Sequence, residues 1–185
     1  LLRFPFFFTD VINWDESTFI LMGQSILDGD LPYATLWDLK PPLSFYTFAL
    51  LISLFGESIL AIRLGGLVFV VATAYLTYVV GRKLYTPRAG LIAGLLTIIF
   101  ISTAPAGQAT MTETLAVLPL MGALALLVYG KYSFTALFSL GMLLSAAALI
   151  RLNLAYVCLG VGALLLFELR ASSTPYLAAK LLAFA

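Results

Sequence analysis

The sequence predicts an all-α membrane protein, a polytopic bundle of transmembrane helices with interfacial helices in its first extracytoplasmic loop. Of its 185 residues, 62% are hydrophobic and 10% are charged. The mean hydropathy of +1.07 lies well outside the range of ordinary soluble domains. Several nearly uncharged runs approach or exceed the roughly 20 residues that a helix needs to cross a bilayer. We therefore expect residues 1–185 to form a single transmembrane domain.

Composition also excludes several kinds of site. The chain has no histidine, which rules out His-based metal sites and catalytic triads. The single cysteine, Cys158, has no partner for an intrachain disulfide. A net charge of +1 suggests no nucleic-acid partner. The chain begins at Leu1 and stops within the apolar run "YLAAKLLAFA", so we expect a piece of a longer protein.

The first part of the chain contains the only long polar segment. Residues 1–9 are expected to be the end of a span, and residues 10–57 an extracytoplasmic loop. Residues 10–40 contain six acidic residues and only one basic residue, Lys40. Apolar residues near helical spacing predict a short interfacial helix that ends at the turn signal Asp28-Gly29-Asp30. Residues 41–56 are short and aromatic, which favours a helix along the membrane surface, but a span is left open.

The rest of the chain is predicted to be spans. Arg82, Lys83 and Arg88 cluster without an acid, and the positive-inside rule puts that loop in the cytoplasm. Pro119 is expected to bend its helix, and a tight turn near "RLN" is expected to divide residues 133–167. Glycines in "RLGGL" and "GVGALLL" are interpreted as sites of close helix packing. The predicted spans are 59–81, 89–104, 114–130, 133–150 and 153–168, with a further one starting at 175–185.

Two acids are candidates for chemistry, and each also has a simple structural interpretation. Asp15 in "NWDEST" could cap the helix that follows it, or it could act as a general base at the membrane boundary. Glu113 in "TMTE" fits a capping box in which Thr110 is the N-cap. A divalent ion shared by Asp15 and Glu113 through oxygen ligands is left open.

Three cations are candidates for binding a lipid phosphate. Lys40, which precedes two prolines, and Arg63, one turn into a predicted span, could be snorkelling interface residues. Basic groups near the outer boundary nevertheless run against the positive-inside trend and would suit a phosphate partner. Arg151 is a functional candidate if it lies deep in the membrane, whereas a turn at the interface would make it ordinary.

The order of the motifs "WDESTF", "DGDLPY", "DLKPPLSFY", "LFGESILAIRLGGL" and "GRKLYTPRAGLIAGLL" resembles a known family. It is similar to the amino-terminal half of the polyprenyl-phosphate-sugar-dependent membrane glycosyltransferases. This group includes the protein O-mannosyltransferases and the bacterial aminoarabinose transferase that acts on lipid A. The resemblance covers roughly residues 10–115.

The resemblance implies a transferase that moves a sugar from a polyprenyl-phosphate donor to an acceptor hydroxyl. It implies that Asp15, with Glu16 beside it, serves catalysis, and that Lys40, Arg63 and, more weakly, Arg151 contact the donor phosphate. Glu113 would be a second acidic site. The expected setting is the outer face of a bacterial inner (plasma) membrane, among membrane lipids and other membrane subunits. We expect Asp15, Lys40 and Arg63 to meet around one pocket.

Two other functions compete with this interpretation. A non-catalytic accessory or scaffold subunit, a degenerate relative within a larger membrane complex, would place Asp15 against a protein partner. A transporter would show intramembrane charges that face each other and paired broken helices. Only Arg151 and Pro119 are features of that kind in this sequence. The sequence does not identify the sugar, the acceptor or any cofactor.

Overall fold

The computed structural model describes residues 2–10, 12–129 and 133–171, and every regular element within these ranges is a helix. This confirms the predicted all-α class. The expected start of a span at 175–185 lies outside the described residues. Two 3-10 turns, Phe4–Phe8 and Leu152–Leu154, accompany the α-helices. The α-helices are α1 (Trp14–Leu27), α2 (Pro42–Phe55), α3 (Ile59–Leu84), α4 (Pro87–Thr103), α5 (Thr112–Tyr129), α6 (Phe134–Ile150) and α7 (Ala155–Ala171).

Local signals in the sequence explain where the first helices begin and end. The side chain of Asn13 caps α1 by accepting a hydrogen bond from the Asp15 N–H at 2.8 Å. The helix ends before Gly29, whose φ of +101° is the left-handed conformation that glycine adopts most easily. Pro41 and Pro42 open α2, and Gly56 follows it with a φ of +95°.

Among the described residues, two helices, α3 and α5, are long and apolar enough to cross a membrane. The other apolar helices, α2, α4, α6 and α7, are shorter. Pro119 lies inside α5, and its expected bend stays a prediction. The assignment of each helix to a span or to the interface also stays a prediction.

Helices α3 and α4 form an antiparallel hairpin whose contact surface is made by glycines. A Cβ added to Gly90 would lie 2.6 Å from both the Tyr78 carbonyl oxygen and the Arg82 nitrogen, and one added to Gly94 would lie 2.9 Å from the Ala74 oxygen. Side chains at these two positions would therefore force the backbones apart. Close packing at "RLGGL" is confirmed, because a Cβ on Gly65 would lie 2.6 Å from Leu51. The same interpretation is wrong for Gly160, since no described residue lies within 4 Å of its added Cβ.

Helices α3 and α5 run parallel, which separates two chemically different ends of the bundle. Near the start of both helices, the Thr110 hydroxyl donates to the Ile62 carbonyl oxygen at 3.1 Å. Near their other ends, the Tyr129 hydroxyl donates to the Val79 carbonyl oxygen at 3.0 Å. Asp15 and Glu113 consequently lie at the end of the bundle opposite to the basic residues Arg82 and Lys83.

Two apolar cores hold the bundle together. The first joins α1, α2, α3, α5 and the end of α6, with Phe19, Phe48 and Leu115 among its fully buried side chains. The second joins α5, α6 and α7 around Leu140 and Leu144. Helix α5 contributes Leu115 and Ala116 to the first core and Ala123 to the second, so packing holds it near its start and in its middle.

Candidate functional site

A cavity of about 440 Å³ opens at the acidic end of the bundle. Three segments surround it: the start of α1, the turn that follows α4, and the first two turns of α5. This volume is within the range of small-molecule sites. The lining residues are Asn13, Asp15, Ile101, Ala104, Pro105, Ala106, Gly107, Met111, Glu113, Thr114 and Val117.

Asp15 lies on the wall of this cavity. The alternative that Asp15 caps α1 is wrong, because Asn13 performs that role and Asp15 contributes only its backbone N–H. Within the described ranges, the Asp15 carboxylate forms neither a salt bridge nor a hydrogen bond.

Glu113 is the second carboxylate on the cavity wall, and it pairs with Arg151. The two side chains form a salt bridge in which Arg151 is 31% exposed and Glu113 is 50% exposed. The Thr112 hydroxyl also donates to Glu113 at 3.2 Å. Arg151 lies between α6 and the Leu152–Leu154 turn, so it reaches the cavity through Glu113.

The predicted capping box at "TMTE" is wrong, and the reason lies in another helix. A capping box would pair the Thr110 N–H with Glu113. Instead, Glu16 of α1 accepts that N–H at 2.6 Å, and the Thr110 hydroxyl donates to Ile62. Glu113 is thereby left free to pair with Arg151.

Glu16 and Arg63 form a buried ion pair. Arg63 is fully buried and Glu16 is 2% exposed, with Arg63 Nη2 at 2.9 Å from Glu16 Oε2. The Arg63 guanidinium also donates to the backbone carbonyl oxygens of Phe6, Thr9 and Asp10. This network ties the amino-terminal segment and α1 to α3. The Arg63 guanidinium nitrogens all donate to protein oxygens, and neither Arg63 nor Glu16 lines the cavity.

Lys40 lies in the loop before α2, near the turn of α1 that follows Asp15. Its Nζ is 5.9 Å from the centre of the Phe19 ring. The Tyr33 hydroxyl donates to the Lys40 carbonyl oxygen at 2.6 Å, and the Lys40 N–H donates to Asp38 at 2.9 Å. Burial, aided by the charge of Asp38, raises the pKa of the Tyr33 phenol, which keeps it protonated as a donor.

The structure thus divides the six predicted site residues into three groups. Asp15 and Glu113, with its partner Arg151, belong to the cavity. Glu16 and Arg63 meet each other in the interior. Lys40 lies beside α1 and does not line the cavity, so the described residues do not bring Asp15, Lys40 and Arg63 to one wall.

The turn after α4 was not predicted to contribute to the site. Residues 104–107 form one side of the cavity, and Ala106 has a φ of +55°, which is unusual for a residue with a side chain. A Cβ on Gly107 would overlap the Ile101 carbonyl oxygen. The sequence "APAG" carries the turn signal that could have indicated this bend.

Asp15 and Glu113 lie on one cavity and could together hold a cation. No group of three or more His, Cys, Asp or Glu side chains with metal-binding geometry occurs in the part of the chain that the structure describes.

Two of the described helices are long and apolar enough to cross a membrane, and a cavity with two carboxylates on its wall opens at one end of the bundle. Residues 39–185 match the family model of the dolichyl-phosphate-mannose-protein mannosyltransferases. The chain therefore belongs to this family of membrane glycosyltransferases, which confirms the predicted resemblance. The matched range includes Lys40, Arg63, Glu113 and Arg151 and begins after Asp15. No curated protein and no solved structure gives a significant match.

Proposed function

We propose that the protein transfers a sugar from a polyprenyl-phosphate donor to an acceptor hydroxyl, at the extracytoplasmic face of a bacterial inner membrane. The observation that carries this proposal is the carboxylate of Asp15, which has no partner among the described residues and lies on a cavity of about 440 Å³. Membership of the mannosyltransferase family supports the reaction class. The separation of this end from Arg82, Lys83 and Arg88 supports the orientation, because basic loops favour the cytoplasm.

Asp15 acts as the general base in the proposed reaction. The acceptor oxygen attacks the anomeric carbon as Asp15 takes the hydroxyl proton. The bond between the anomeric carbon and the phosphate oxygen breaks, and the polyprenyl phosphate leaves with the electron pair. The ionised carboxylate also stabilises positive charge on the sugar in an oxocarbenium-like transition state.

Two partly exposed cations, Arg151 at the cavity and Lys40 in the loop before α2, stabilise the departing phosphate. Arg151 is partly exposed and is held at the cavity by Glu113. Lys40 is partly exposed and forms no salt bridge with any carboxylate of the described residues, so its ammonium is available to an anion. An Arg or Lys side chain near the leaving oxygens stabilises the transition state most, because negative charge develops on those oxygens there.

Glu16 and Arg63 act by positioning in this proposal. Each is buried and satisfied by protein partners, so neither is free to contact the donor. Glu16, the second residue of the acidic pair, points about 100° away from Asp15 around α1 and anchors that helix to Thr110. This contact fixes the distance between α1 and the segment that leads into α5, the two walls of the cavity.

The test compares Asp15→Asn with Asp28→Asn in native membranes supplied with polyprenyl-phosphate mannose. Asp28 is an exposed acid at the other end of α1, so its variant controls for loss of one negative charge. Released polyprenyl phosphate is the readout. We expect Asp15→Asn to lower the rate by roughly 10²–10⁴-fold, the usual contribution of a general base, and Asp28→Asn to leave it unchanged.

Retained transfer by a membrane-inserted Asp15→Asn protein would remove Asp15 from catalysis. No transfer by the unmodified protein, together with a stable complex with another membrane subunit, would favour the scaffold function instead.

A further inference from the structure

A second cavity, of about 290 Å³, lies on another side of the end of α4. The amino-terminal segment covers one side of it, and α3 and α4 form the other. Ser102 lines this cavity, whereas its neighbour Ile101 lines the cavity that contains Asp15. The two cavities are therefore separate. The lining residues of the second are Leu2, Arg3, Phe4, Phe7, Leu67, Ile98 and Ser102.

Arg3 is buried in this cavity with part of its guanidinium unused. The side chain is 4% exposed, and Nη2 donates to the Gln108 and Ala109 carbonyl oxygens at 3.0 and 3.3 Å. The other two nitrogens, Nε and Nη1, have no acceptor among the described residues. The hydroxyl of Ser102, which is 2% exposed, has no partner within the same ranges. Buried donors without acceptors are costly.

The charge around Arg3 is also incompletely balanced. The ionised groups that act on it are Glu16 and Arg63, and Glu16 is already paired with Arg63. Two buried guanidinium groups thus share one carboxylate, and Arg3 forms no salt bridge with any described residue. A buried charge without a counter-ion is strongly unfavourable, and an anion in this cavity would balance it.

The other walls of the cavity are apolar and continue onto the outer surface of the bundle. Leu67 and Ile98 lie below the open end of the α3–α4 hairpin, while Leu2 and Phe4 are exposed at the cavity's edge. An anion with a hydrocarbon tail matches this combination of a cationic end and an apolar groove. In a membrane protein, that description fits a lipid with a charged phosphate.

We propose that this cavity binds the headgroup of an anionic lipid. Nε and Nη1 of Arg3 donate to two phosphate oxygens, the planar fork that arginine offers to phosphate. The Ser102 hydroxyl donates to a third oxygen, and the lipid chain lies against Leu67 and Ile98. The site does not depend on the proposed sugar transfer, since it shares no lining residue with the Asp15 cavity.

The test measures lipid binding to the purified protein by native mass spectrometry. The probes are phosphatidylglycerol, polyprenyl phosphate, the zwitterion phosphatidylcholine and inorganic phosphate. We expect Arg3→Gln to weaken binding of an anionic lipid roughly tenfold or more, because a charge-assisted pair is lost. The matched control is Arg88→Gln, which removes an exposed arginine at the opposite end of the bundle and should leave binding unchanged.

Ser102→Ala keeps the proposal testable if Arg3→Gln fails to fold. Removing an unpaired buried hydroxyl should leave the Tm unchanged or higher without lipid, while reducing the rise in Tm that phosphatidylglycerol produces. Arg3-dependent binding of phosphatidylglycerol would identify bulk phospholipid as the source, and binding of polyprenyl phosphate alone would identify the donor's lipid. Equal binding of all four probes, or binding insensitive to both substitutions, would overturn the site.

Discussion

Asp15 and Glu16 are neighbours in the chain, yet they have different surroundings. Successive residues of an α-helix point about 100° apart, since each turn takes 3.6 residues. The rotation leaves Asp15 exposed on a cavity and turns Glu16 into the core, where it meets Arg63 and Thr110. The motif "WDEST" indicates that both acids matter, but only the contacts of Glu16 with Arg63 and Thr110 show which of them is accessible.

Glu16→Gln should destabilise the protein strongly, because it leaves the Arg63 charge buried without its carboxylate. Breaking a buried ion pair in this way costs about 3–5 kcal/mol. The matched control is Asp15→Asn, an exposed change on the adjacent residue, which should alter the free energy of unfolding by no more than about 0.5 kcal/mol. Thermal unfolding in detergent measures both. Equal Tm values for the two variants would contradict the buried pair.

Glu113→Gln should lower the rate of sugar transfer while changing stability little. The Glu113–Arg151 pair is half-exposed, and such pairs contribute about 0–1 kcal/mol to stability. The proposed role of Glu113 is to hold Arg151 at the cavity, so sugar transfer should fall while the Tm changes little. Transfer rate and Tm measured on the same preparation check this. A large drop in Tm with unchanged transfer would assign the pair to stability alone.

Among the helices, the α3–α4 hairpin is the element most dependent on particular residues. Gly81 and Gly90 face each other, and an added Cβ at Gly81 would lie 2.9 Å from the Gly90 Cα. The span-length apolar runs predicted both helices. The sequence alone did not show which glycines face a neighbour, because that depends on how each helix is rotated about its axis.

Gly90→Ala and Gly160→Ala should therefore have opposite effects. At Gly90 the new Cβ meets the backbone of α3 at 2.6 Å, and such overpacking costs about 1–3 kcal/mol. At Gly160 nothing lies within 4 Å, so alanine should stabilise α7 by about 0.5–1 kcal/mol through its better helix propensity. The Tm of each variant in detergent provides the measurement. A Tm that does not fall for Gly90→Ala would show that α3 and α4 are not in this contact, and a lowered Tm for Gly160→Ala would show that Gly160 packs against a neighbour.

For the molecule as a whole, the sequence predicted the all-α class, the family and the approximate position of the helices, because apolar run length and motif order are local properties. Run length and motif order could not predict the cavity between α1 and α5. It depends on contacts between Glu16 and Thr110 and between Arg3 and Gln108, which are separated by 94 and 105 residues. The same long-range contacts explain why the capping box at "TMTE" did not form.

The orientation in the membrane is testable with cysteines in a Cys158→Ala background. Trp37, in the loop before α2, and Arg88, at the α3–α4 turn, are both exposed and belong to opposite ends in the proposed topology. In intact cells, a membrane-impermeant maleimide should label Trp37→Cys. It should label Arg88→Cys only after the membrane is opened. Labelling of both in intact cells would contradict the proposed orientation.

The central claim is that the sugar-transfer reaction takes place in the cavity between α1 and α5. The most direct measurement is an experimental structure of the protein with a non-transferable polyprenyl-phosphonate sugar. The account predicts that the anomeric carbon lies in this cavity, with Asp15 close enough to accept the proton of an attacking hydroxyl. A sugar bound elsewhere, or an Asp15 covered by a neighbouring subunit, would contradict it.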